Sequence, residues 1–174
     1  MITIFTENCN HFSQESYDSV MSRVPIHRLT CSACGRSGCL QYHGSYRRKV
    51  RSSQGTVVLR IQRVKCTECG RTHALLLSSL VPYSQIAAET QRQIAETFET
   101  KGDRSSFCTP EGAVDENDVK AVIMRYRRYW RERLRAEQIS LDSLSKLVWQ
   151  CFAHYAAQFL QIRRGCNLLF AIPT

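Results

Sequence analysis

The segment Cys31-Ser-Ala-Cys34-Gly35-Arg36 returns as Cys66-Thr-Glu-Cys69-Gly70-Arg71, and this repeated CxxCGR constrains the fold more than any other feature of the chain. A CxxC turn points two sulfurs the same way, and a glycine directly after it suits a backbone of positive φ. Two such knuckles can close a tetrahedral thiolate shell around Zn2+, a metal with no geometric preference that would resist four sulfurs. The expected ligands are Cys31, Cys34, Cys66 and Cys69. Four thiolates leave no position for water or substrate, so the single zinc is expected to be structural. Two alternatives are unrelated pairs of buried thiols and a redox CxxC. Duplication with matching Gly-Arg tails, and the absence of a thioredoxin-like βαβ pattern, favour the metal. Cys39, His43 and His73 lie near enough to replace a knuckle cysteine, although a half-buried thiol and two surface imidazoles are the plainer reading. Cys9, Cys108, Cys151 and Cys166 are dispersed and read as packing or surface thiols.

Between the knuckles the pattern is that of a β-hairpin. Thr56 to Val64 alternates, with Val57, Leu59 and Ile61 on one face and Val58, Arg60 and Gln62 on the other. Leu40 to Arg51 supplies the partner strand, Ser52-Ser-Gln-Gly55 the turn, and His73 to Leu77 a third strand. After Pro82 the period changes. Gln85 to Thr100 places Ile86, Thr90, Ile94 and Phe98 at helical intervals, and Lys101-Gly102 ends the run. Asp103 to Val114 contains Pro110 and Gly112 and has room for a short helix at most. A further helix is expected from Asp115, where Asp115 and Asp118 have capping-box spacing, to about Arg135, with Val119, Val122, Ile123, Tyr126, Trp130 and Leu134 as its apolar stripe. A third, amphipathic helix is expected over Leu141 to Ile162.

These elements predict an α+β protein: an N-terminal extension (1–26), a small zinc-ribbon β-hairpin domain (27–83), an all-α helix-turn-helix-like unit (84–136), and a C-terminal amphipathic helix with a tail (137–174).

Charge gives this layout a function. The chain carries a formal net charge of +9 and is 43% hydrophobic, a globular rather than disordered composition. It has two basic blocks. One is residues 27–83, with ten Lys/Arg against Glu68, among them Arg47, Arg48, Lys49 and Arg51 of the hairpin. The other is Lys120 to Arg135 on the helix from Asp115, with Lys120, Arg125, Arg127, Arg128 and Arg131. Guanidinium groups suit both phosphate contact and bidentate reading of guanine, so double-stranded DNA is the expected partner. An arginine-rich helix face is also often a merely solvated one. Asp115, Glu116 and Asp118 crowd the helix start, so its middle and C-terminal half should make the contacts.

The runs Cys31-Ser-Ala-Cys34-Gly35, Tyr42-His-Gly-Ser-Tyr-Arg47, Ile61-Gln-Arg-Val-Lys-Cys66-Thr-Glu-Cys69-Gly70-Arg-Thr-His73-Ala and Leu80-Val-Pro-Tyr83-Ser resemble a family of short bacterial transposase-like proteins carrying a domain of unknown function. Gln158-Phe-Leu-Gln-Ile-Arg163 and Leu168-Leu-Phe-Ala-Ile-Pro-Thr174 resemble the C-terminus of the same family. That family is in turn similar to the zinc-ribbon and helix-turn-helix module that precedes the nuclease domain of insertion-sequence transposases. The resemblance implies zinc at the four knuckle cysteines and DNA contact by the helix from Asp115. Pro110 and Gly112 depart from it, standing where the middle helix would lie.

No catalytic motif accompanies these features. After Arg135 the acids are Glu137 and Asp142, without the three converging carboxylates of a DDE site, and deaminase, P-loop and hydrolase-elbow motifs are missing. The expectation is a noncatalytic DNA-binding regulator or accessory factor. The alternatives are a protein-interaction adaptor and a transposase or nuclease subunit whose active site lies on a partner. The C-terminal helix could pair two copies into a homodimer, although packing on its own domain is the simpler fate. The opening residues lack the basic and apolar regions of a secretory signal, and no apolar run spans a bilayer. The expected location is therefore the bacterial cytoplasm, at the nucleoid.

Overall fold

The computed structural model describes residues 1–6, 11–102, 107, 113–136, 138 and 140. Its elements are β1 (Ile2–Ile4), α1 (Gln14–Ser22), β2 (Leu40–Ser52), β3 (Gly55–Cys66), β4 (Thr72–Leu77), α2 (Ala88–Lys101), α3 (Glu116–Tyr129) and α4 (Arg131–Ala136), with a 3-10 turn at Ile26–Arg28. The class is α+β, and the four strands form one sheet in the order β1-β4-β3-β2.

The hairpin between the knuckles is the spine of that sheet. β2 and β3 pair from Ser52↔Gly55 at the turn to Leu40↔Cys66 at the cysteines, with one irregularity between Tyr42 and Ser45. Side chains alternate faces along a strand. Leu59 and Ile61 are buried on one face near the turn, whereas Val64 and Cys66, of the opposite parity, are buried on the other face near the cysteines. The sheet is thus covered on one side at one end and on the other side at the other. Near the turn, the face bearing Arg47, Lys49, Val58 and Arg60 stays exposed.

Residues 1–26, read from sequence as an extension, enter this sheet and its core. β1 pairs parallel to β4 (Ile2↔Leu75 to Ile4↔Leu77), and Tyr17 and Met21 of α1 are buried with Leu59, Ile61 and Leu76. α1 starts at Ser13, whose side chain accepts the Ser16 N–H. β4 pairs with β3 only across Arg63–Ala74, Val64–His73 and Lys65–Thr72. Beyond that, α1 supplies the hydrogen bonds. The Tyr17 hydroxyl accepts the Gln62 N–H at 2.9 Å and donates to the Leu75 carbonyl at 3.0 Å. Gln14 accepts the Arg60 N–H at 2.7 Å and donates to the Arg60 carbonyl at 3.3 Å. Buried backbone groups need partners, and two side chains here take the place of a strand.

The turn end of the hairpin is tied to the helices. Arg51 N–H donates to Gln85 and its carbonyl accepts the Ala87 N–H, so the chain enters α2 along the β2 edge. α2 ends at Gly102, as expected from the sequence, and packs on α3 through Ile86, Ile94, Val119, Val122 and Ile123. α3 begins with the expected capping box, Asp115 accepting the Asp118 N–H and Asp118 the Asp115 N–H. The single helix expected to run to Arg135 is in fact two. Trp130 leaves helical geometry (φ −126°, ψ −35°), and the break brings Arg131 and Arg135 of α4 against Glu99 of α2, at 2.9 and 3.0 Å. The helix expected over Leu141 to Ile162, and with it any pairing of two copies, lies outside the described residues. No helix among the described residues is long and apolar enough to cross a membrane.

Candidate metal centre

The repeated sequence builds a repeated geometry. In the first knuckle Cys31 N–H donates to the Arg36 carbonyl (2.8 Å) and Gly35 N–H to the Cys31 carbonyl (2.9 Å). In the second, Cys66 N–H donates to Arg71 (2.9 Å) and Gly70 N–H to Cys66 (3.0 Å). Gly35 and Gly70 take φ of +74° and +69°, with open space where a Cβ would stand, so glycine is needed for conformation rather than room. β3 delivers the second knuckle to the first.

The sulfurs of Cys31, Cys34, Cys66 and Cys69 lie within 4.8 Å of one another. The contacts between knuckles are 3.7 Å for Cys31–Cys69 and 3.7 Å for Cys34–Cys66. A tetrahedron with Zn–S bonds of about 2.3 Å has S···S edges of about 3.8 Å, whereas a disulfide would need about 2.05 Å. The cluster is therefore compatible with one structural zinc. Cys31 and Cys66 are buried, and Cys34 and Cys69 sit on the solvent side.

The three neighbours considered as substitutes fall outside this shell. Cys39 is buried with its sulfur 3.3 Å from that of Cys66, and donates to the Arg36 carbonyl at 3.1 Å. The Cys69 backbone N–H draws the Cys66 thiol down to about 6, while burial and the Cys66 sulfur push Cys39 up to about 11. Of this pair, Cys66 is the one that more readily carries negative charge. At Cys69, exposed as it is, the Arg71 N–H pulls down, but desolvation on its cluster side and the three surrounding sulfurs outweigh it and push the thiol to about 12. A cation at the centre removes that repulsion. His43 is exposed in the β2 irregularity. His73 is not the surface imidazole expected: β4 buries it, with Nε2 3.2 Å from the Cys31 sulfur and Nδ1 3.1 Å from the Ser32 hydroxyl. Burial lowers its pKa, and a neutral ring would donate Nε2–H to the Cys31 sulfur and accept at Nδ1, where the Ser32 hydroxyl and, at 3.4 Å, the Met1 amine both lie. Across the top, Arg36 of one knuckle pairs with Glu68 of the other at 2.7 Å.

Residues 31–109 match a family described as a domain of unknown function (DUF6431). The matched span opens on Cys31, the first knuckle cysteine, and takes in all four knuckle thiols, the hairpin, β4 and α2. Searches of curated proteins and of solved structures returned no match.

The residues expected to meet DNA separate into those committed to the fold and those left at the surface. On β2, Arg48 donates to the carbonyls of Val81 (2.6 Å) and Ser84 (2.5 Å). Arg51 grips Asp118 of α3 with both terminal nitrogens, at 2.5 and 2.7 Å. Arg47 and Lys49 point to solvent from the exposed face. On the helices, Lys120 pairs with Glu116 at 2.8 Å and Arg131 with Glu99. Arg125 is half-buried, and Arg127 and Arg128 are exposed, Arg127 lying 6.0 Å from the centre of the Phe98 ring. Arg60 is a residue that reading block by block overlooks. Counting back from the Ser52–Gly55 turn sets it opposite Arg47, and the observed register agrees.

Proposed function

We propose that the chain is a noncatalytic, zinc-dependent protein that binds double-stranded DNA, of transposase-like origin, and acts as a regulator or accessory factor. Zinc held by Cys31, Cys34, Cys66 and Cys69 would have a closed thiolate shell, so it would supply a cross-link between two turns and not a reactive site. On this reading β2, β3 and β4 with the two knuckles are a zinc ribbon, and α2 and α3 belong to a helix-turn-helix unit.

The observation that carries the proposal is the charge on the braced sheet. Arg47, Lys49 and Arg60 stand exposed on one face, and none has a carboxylate partner among the described residues. α3 supports a second contact through exposed Arg127 and Arg128. Of the acids at its start, which would repel phosphate, Asp118 is held inside the fold by Arg51, while Glu116 pairs with Lys120 at the surface. The first of these pairs commits Arg51 to the fold.

The test is a salt titration of the zinc-loaded protein against a labelled duplex, read by fluorescence anisotropy. Contact with about six phosphates gives a log–log slope of affinity against salt near −5. A slope near zero, or no binding to any duplex, overturns the proposal and favours a protein-interaction adaptor.

A further inference from the structure

The face of the hairpin that stays exposed near the turn carries an arrangement that a solvated surface does not need. Arg47 and Arg60 are directly opposite in the β2–β3 register. The backbone N–H and carbonyl of Arg60 both face Gln14 of α1, away from β2. The Arg47–Arg60 pair is therefore a non-hydrogen-bonded one, the kind in which opposite side chains rise closest together. Like charges directly opposite on a sheet are unfavourable. Sheets ordinarily relieve such a pair with a carboxylate, and none of the described residues supplies one here. Gln14 also holds the Arg60 backbone by both its N–H and its carbonyl, which fixes where the guanidinium starts.

The surroundings are concave. Ser45, Arg47, Val58 and Arg60, with Gln14 and Tyr46, line an open groove of about 740 Å³. Lys49 stands one pair further along, opposite Val58, on the same face. The other two arginines of β2 are excluded from the groove by their bonds, Arg48 on the opposite face holding two loop carbonyls and Arg51 holding Asp118. The groove is thus cationic, with no acid lining it among the described residues, and is built on the paired strands that the knuckles close at one end and α3 at the other.

We infer that Arg47 and Arg60 form a two-guanidinium clamp for a backbone phosphate of double-stranded DNA, with Lys49 meeting the adjoining phosphate. This rests on the proposal that the protein binds duplex DNA, and it moves the principal contact from α3 to the hairpin face. Guanidinium forks match phosphate oxygens, and a two-stranded ribbon fits the major groove. Bringing a phosphate between the two cations removes their repulsion, and the ribbon then follows the DNA backbone.

The experiment is the same anisotropy titration on three forms: the full chain, the Arg47→Ala/Arg60→Ala double variant and Arg127→Ala/Arg128→Ala. Losing the clamp should weaken binding at least tenfold at low salt and reduce the magnitude of the salt slope by about 1 to 2. Arg47→Lys/Arg60→Lys, which keeps the charge, should recover most of the slope. Both side chains are exposed and their charges repel, so zinc content should not move and the thermal melt should not fall; if the alanine pair fails to fold, the lysine pair and Arg47→Gln carry the comparison. A full chain that binds duplex with an unchanged slope in the clamp variants overturns the clamp and leaves DNA binding intact. A full chain that binds no duplex overturns both.

Discussion

Replacing Tyr17 by Phe removes a single oxygen and tests whether α1 is part of the sheet or merely rests on it. That oxygen lies in a fully buried side chain and makes two bonds, accepting the Gln62 N–H at 2.9 Å and donating to the Leu75 carbonyl at 3.0 Å. It fills the point where β3 and β4 part, so neither backbone group has the other as a substitute. An unsatisfied buried polar group costs about 1–3 kcal/mol, and the carbonyl, with a second lone pair, belongs at the low end. The expected loss is about 2–4 kcal/mol, which for a chain of this size lowers Tm by on the order of 10 °C. Calorimetry or circular dichroism of the zinc-loaded protein reads the shift, and hydrogen exchange should show the Gln62 amide losing protection. Tyr46→Phe, which removes a more exposed hydroxyl, should stay within about 0.5 kcal/mol. A Tyr17→Phe melt within about 2 °C of the unaltered protein would refute the bridging role.

The same phenol gives a pH prediction. Burial pushes the Tyr17 hydroxyl well above its ordinary range, and burial and nearby Glu99 push Tyr126 up to about 12. A folded-state pKa raised above the unfolded value of about 10 contributes stability that is complete below pH 10 and lost above it. The protein should therefore weaken as pH rises past about 10, and Tyr17→Phe should weaken less steeply. For the metal centre, Cys39→Ser should retain zinc and Cys66→Ser should lose it, read by metal analysis after gel filtration; equal zinc in both would move the ligand assignment. Arg51→Ala should cost about 2 kcal/mol, because it leaves the partly buried Asp118 carboxylate without a cation and with only its capping bond from the Asp115 N–H. A double-mutant cycle with Asp118→Ala should return a coupling of at least about 1 kcal/mol, and a coupling near zero would show that hairpin and α3 are not joined there.

What could be read from the sequence was whatever obeyed a local rule. The knuckles are defined by spacing within six residues, the β2–β3 register by a turn, and the start of α3 by its two aspartates. Each needs no knowledge of distant chain. β1 is a three-residue apolar run that periodicity cannot distinguish from any other, and it becomes a strand only because β4 leaves an edge for it. α1 did leave a signal, Ser13 as cap with Tyr17 and Met21 four residues apart, but its length is marginal for a helix without the sheet beneath it. The break at Trp130 was hidden because the apolar stripe continues through it to Leu134. The division of the basic residues was hidden too, since Arg47, Arg48 and Arg51 are chemically alike and only the pleat and the position of Asp118 decide which remain free.

One ion joining two turns is the feature on which the ribbon would depend, and native mass spectrometry of the intact protein tests it most directly. The prediction is one zinc ion per chain, with the remaining cysteines reduced, and loss of folded charge states when a chelator removes the metal. A folded chain free of metal, or one whose mass reports disulfides among Cys31, Cys34, Cys66 and Cys69, would contradict it.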